Sequence, residues 1–66
     1  MTYFTVKVKD ISGDKRNFIT NEEPEIDDDI CEMTIYDCDR NVSVRYNLAN
    51  VIYFEIEEVQ REHNNI

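Results

Sequence analysis

The stretch from Ile30 to Leu48, ICEMTIYDCDRNVSVRYNL, decides the fold class. Cys31, Met33 and Ile35 alternate with Glu32, Thr34 and Tyr36; after a polar break, Val42, Val44, Tyr46 and Leu48 alternate with Ser43, Arg45 and Asn47. A period of two lines one face of an extended chain with apolar groups, so each run predicts a half-buried β-strand. Between them, Asp37-Cys38-Asp39-Arg40-Asn41 is rich in short polar side chains that bond their own backbone, which predicts a tight turn. Two alternating runs joined by a short polar connection make an antiparallel hairpin, with Cys31, Met33, Ile35, Val42, Val44, Tyr46 and Leu48 expected on its buried face.

Upstream the same signal recurs. Phe4, Val6 and Val8 oppose Tyr3, Thr5, Lys7 and Lys9, a turn at residues 10–15 carries the only glycine, and Arg16 to Thr20 reads as the returning strand. Asn21 to Asp29 breaks the pattern with the only proline, Pro24, and six carboxylates with no base among them. Proline has no N–H and restricts the residue before it, which excludes a central strand and predicts a solvated loop.

Downstream, Leu48, Val51, Ile52, Ile56 and Val59 fall at helical spacing. Against a helix, residues 51–56 are dense in β-branched and aromatic side chains, and Glu55 would interrupt the apolar stripe. The reading taken is one helical turn at Asn47 to Asn50, then a strand with Ile52, Phe54 and Ile56 facing in and Tyr53, Glu55 and Glu57 facing out. The expected organisation is a single β domain over 1–58 and a polar C-terminal tail over 59–66. The expected fold is all-β: five short antiparallel strands forming a meander or a small barrel. A hairpin, a second hairpin, a helical turn and a final strand together resemble the element order of SH3-like barrels. Folds of this kind host many functions, so the resemblance implies no activity.

Composition narrows the function classes. Fifteen carboxylates against seven Lys and Arg give a net charge of −8 over 66 residues. Such a surface repels phosphate, so neither nucleic acid nor an anionic membrane is an expected direct partner. The longest apolar run, Val51 to Phe54, is far short of a membrane helix. Met1 leads straight into an alternating segment with lysines in it, unlike a signal peptide, and two thiols without a scaffold pattern suit a reducing cytoplasm. No cofactor is expected. His63 is the only histidine and has no Ser or Cys at a telling spacing, so the chain is not expected to be an enzyme. No metal site is expected either: the D-x-D-x-N of residues 37–41 starts like a calcium loop but has Val42 and Leu48 where glycine and glutamate belong. Cys31 is expected to be a buried, inert thiol and Cys38 an exposed one between two carboxylates.

The candidate surface is acidic. From Glu22 to Glu32 there are seven carboxylates in eleven residues: Glu22, Glu23, Glu25, Asp27, Asp28, Asp29 and Glu32; Glu55, Glu57, Glu58 and Glu62 make a second cluster. These could engage the basic groove of a nucleic-acid-binding protein in the manner of a DNA mimic. Duplex DNA carries one charge per roughly 1.7 Å of axis. Eleven extended residues span at most about 36–40 Å, so one loop is about threefold sparser. Outward-facing Tyr3, Tyr36 and Tyr53 would form a contact patch if their strands are neighbours, since tyrosine is enriched at interface hot spots. The expected function is a small acidic regulator or inhibitor, of the type phages and mobile elements encode, that docks as a homodimer on a basic protein surface. The alternatives are an oligomer that binds a small anionic ligand through Lys7 or Arg45, and a domain whose acidity serves solubility alone.

Overall fold

In the computed structural model, which describes residues 2–60, the alternating segments form two three-stranded antiparallel sheets. Strands β1 (Thr2–Asp10), β2 (Lys15–Thr20) and β6 (Val51–Gln60) make sheet A in the order β2-β1-β6; β3 (Glu25–Asp27), β4 (Glu32–Asp37) and β5 (Val42–Asn47) make sheet B in the order β3-β4-β5. A 3-10 turn, Leu48–Asn50, joins β5 to β6, and the Asn47 side-chain oxygen caps it by accepting from the Ala49 N–H at 3.0 Å. The all-β class, both hairpins, the helical turn and the final strand agree with the sequence expectation.

The core lies between the sheets. Val6, Val8 and Phe18 come from sheet A and Met33 and Ile35 from sheet B, with Val44, Tyr46, Leu48, Val51, Phe54 and Ile56 packed around them. The Phe18 and Tyr46 rings meet edge-to-face with centroids 6.1 Å apart, the arrangement that their quadrupoles favour. Backbone bonds also tie distant segments together. The Cys38 N–H and thiol both donate to the Ile19 carbonyl at 3.0 Å, Ile11 N–H donates to Asn50, and Leu48 N–H donates to the Cys31 carbonyl at 2.7 Å.

Four expectations are corrected. The described residues form six strands, because Glu25–Asp27 pairs with β4 where a loop was expected. It is an edge strand directly after Pro24, a place where the missing N–H costs no ladder bond. Cys31 is exposed, because the β3–β4 connection extends through it and holds it at φ 51°. Val42, expected on the buried face, is exposed beside the β4–β5 turn. Ile52, expected to face in, is 57% exposed. Lys9 pairs with Tyr53 and Asp10 with Val51, so Ile52 is the extra residue of a β-bulge and Val51 takes its place against the core. In addition, β6 continues to Gln60, while the rest of the expected tail, including His63 and Glu62, lies outside the described residues.

Candidate partner-binding surface

Alternation along β4 sends Met33, Ile35 and Asp37 inward and Glu32, Thr34 and Tyr36 outward. Register then builds the outer face of sheet B row by row. Asp27 and Asn47 flank Glu32, Glu25 and Arg45 flank Thr34, and Ser43 lies beside Tyr36. Asp28 and Asp29 follow in the β3–β4 turn. Glu25, Asp27, Asp28, Asp29, Glu32 and Arg45 line one open concavity of about 800 Å³, together with Thr34 and the exposed Ile26 and Ile30. Among the described residues, Arg45 is the one cation in this lining, with its Nε 3.6 Å from Glu32 Oε1.

The turn that supplies two of these carboxylates has its own structural chemistry. Asp27 Oδ1 accepts from the Asp29 N–H at 3.0 Å, and the turn ends on Cys31 in the left-handed region. The β4–β5 turn repeats this: Asp37 Oδ1 accepts from the Asp39 N–H at 3.1 Å, and Asn41 stands at φ 56°. Such self-bonded turns are what Asp is suited to, so Asp27 and Asp37 both shape the backbone. Asp37 is also 4% exposed, with Arg40 Nε 3.9 Å away. Asp10 plays the same part in the first hairpin. Its Oδ1 accepts from the Ser12 hydroxyl at 2.6 Å and from the N–H groups of Ser12 and Asp14. Those bonds, the Ser12 hydroxyl foremost, hold its carboxyl below the ordinary value.

The remaining expected site residues are dispersed. Glu22 and Tyr36 share a separate depression of about 350 Å³, with Asp37, Cys38 and Val42 also on its wall. The Glu22 carbonyl accepts from the buried Thr20 hydroxyl at 2.7 Å, and Glu23 is exposed just before Pro24. Glu55 and Glu57 are on the outer face of sheet A, opposite Lys7 and Thr5. The tyrosines do not gather. Tyr36 belongs to sheet B, and Tyr3 and Tyr53 belong to sheet A, opposite Val59 and Lys9. Tyr3 is thus six residues along β1 from the position facing Tyr53, roughly 20 Å at strand spacing. Lys7 and Arg45 likewise occupy different sheets. Among the described residues, no group of three His, Cys, Asp or Glu side chains is placed to hold a metal ion, and no helix is long and apolar enough to cross a membrane.

One feature escaped the sequence reading: the two exposed isoleucines, Ile26 and Ile30, that border the carboxylates. Their signal was the pair of large apolar residues standing alone inside an acidic tract. Comparison with protein-family models, curated proteins and solved structures finds no match to this chain.

Proposed function

We propose that the chain is a non-catalytic protein-binding module, a small acidic regulator or inhibitor that docks the outer face of sheet B on a basic protein surface. The observation that carries this reading is the concavity in which Glu25, Asp27, Asp28, Asp29 and Glu32 accompany the Arg45 cation, with the exposed Ile30 at hand as an apolar anchor. Carboxylates on an open surface speed encounter with a basic partner and set specificity, while desolvated apolar groups supply most of the affinity. The groove of a nucleic-acid-binding protein fits these features, and inhibition there would be DNA-mimic in kind. A cytoplasmic, phage or mobile-element setting suits a compact acidic chain of this type.

The anionic-ligand reading has weaker support. Its two cations stand on different sheets, and Arg45 is already paired with Glu32 among further carboxylates. Capture from lysate by the wild-type chain and by a variant with amides at Glu22, Glu23, Glu25, Asp27, Asp28 and Asp29 tests the proposal. Salt-sensitive capture of a basic protein that the amide variant loses supports it; equal capture by both contradicts it. A thermal shift with nucleotides or inorganic phosphate that Arg45→Gln removes would favour the anionic ligand instead.

A further inference from the structure

The second edge of sheet A is formed by β6, whose only ladder among the described residues is with β1. It runs ten residues without proline or lysine, and an exposed edge of that length is a template for another strand. Its two halves differ. Val51-Ile52-Tyr53-Phe54 is uncharged, with Ile52 and Tyr53 exposed, and lines an apolar cleft of about 300 Å³. Glu55, Glu57 and Glu58 charge the other half. We propose that this edge pairs antiparallel with the same edge of a second copy, about a two-fold axis at Phe54.

Charge and symmetry select that register. A two-fold axis perpendicular to the joined sheet keeps both outer faces on one side, so directly opposed residues must share a face. An axis at Glu55 sets that carboxylate against itself, and an axis at Ile56 sets Glu55 against Glu57. Like charges directly opposite are destabilising. An axis at Tyr53 avoids this but confines the paired run to residues 52–54, because the bulge puts Val51 on the other face from Glu55. An axis at Phe54 pairs residues 52–56, up to the bulge: Phe54 meets its own copy, the exposed Ile52 meets Ile56, and Tyr53 meets Glu55. Lys9 lies opposite Tyr53 and Lys7 opposite Glu55 within each copy. The outer face then reads Lys9, Tyr53, Glu55, Lys7 across the junction, so each Glu55 gains a second cationic neighbourhood. The pairing uses no residue of the sheet B concavity, so it stands or falls independently of the proposed function.

Sedimentation equilibrium over a range of protein concentrations, with cysteine cross-linking, tests this pairing. In a Cys31→Ser, Cys38→Ser background, Tyr53→Cys and Glu55→Cys variants are oxidised separately and as a mixture. Opposed strand positions fall within disulfide reach. The expected result is a dimer mass, a mixed 53–55 cross-link in excess of either self-cross-link, and a dissociation constant raised about tenfold or more by Ile52→Lys. Ile52 is exposed, so that variant keeps its fold, which its circular dichroism verifies. A monomer mass at all concentrations, dominant 55–55 or 53–53 products, or a dimer indifferent to Ile52→Lys would each overturn the proposal.

Discussion

Cys31 and Asn41, ten residues apart, occupy the same place in two copies of one turn. Each follows by four residues an aspartate, Asp27 or Asp37, whose carboxylate accepts from the N–H two positions on, and each has a left-handed φ, 51° and 56°. Asparagine tolerates that region because its short side chain bonds locally, whereas cysteine pays the Cβ penalty.

Cys31→Asn should therefore stabilise the fold by about 1 kcal/mol. Urea unfolding would show it as a higher midpoint with an unchanged slope. An equal or lower midpoint would mean that the thiol, which lies 3.7 Å from the Asp28 carbonyl, offsets the backbone strain.

Ile35 is fully buried between the sheets. Its truncation to alanine should cost about 2–5 kcal/mol, a large share of what a domain this small holds. Loss of a cooperative transition, or a midpoint far below wild type, is the expected outcome in the same urea assay.

Asp10 sets an acid-limb dependence. Its folded carboxyl binds its proton less tightly than the unfolded one, because the Ser12 hydroxyl and the turn N–H groups bond the charged form. Its contribution is thus complete above its ordinary value of 3.8 and is lost as pH falls through the lowered value. Ser12→Ala should move the Asp10 titration, followed by NMR, back toward 3.8, and Asp10→Asn should flatten the acid limb of stability.

Much of this fold was legible because alternation is local. A strand with one buried face announces itself in a few residues, as Phe4, Val6 and Val8 do. What stayed hidden depended on partners far away in sequence. Glu25–Asp27 has no alternating run of its own and becomes a strand only through register with β4. The turn signal at Asp27, Asp29 and Cys31 matches the one recognised at Asp37, Asp39 and Asn41, but a run of carboxylates masked it. The bulge at Ile52 shifts face by one residue, and only the ladder with β1 reveals that. At the candidate site the acidity was plain from sequence. Its division was not: sheet membership separates Glu55 and Glu57 from the sheet B carboxylates, and parts Tyr36 from Tyr53.

Arg45 tests the sign of the field at the concavity. The guanidinium is largely exposed, so its pair with Glu32 is worth roughly 0–1 kcal/mol and Arg45→Gln should leave stability nearly unchanged. Removing this cation from the lining should speed association with a basic partner, whereas an anionic partner would bind this variant more slowly.

The most direct measurement is the association rate of the captured basic partner with wild type and with the amide variant at low and high salt. Amides at Glu22, Glu23, Glu25, Asp27, Asp28 and Asp29 remove six negative charges and take the net charge from −8 to −2. The Asp27→Asn change within that variant keeps the β3–β4 turn, because an amide oxygen still accepts from the backbone N–H at position 29. Stability should hold or rise slightly as like-charge repulsion is relieved. Surface charges act over about 8 Å at physiological salt, so steering should be visible as a steep salt dependence in wild type. The expected result is a marked slowing in the amide variant with its salt dependence flattened. An unchanged association rate would contradict the reading and leave the acidic face as a solvated connection.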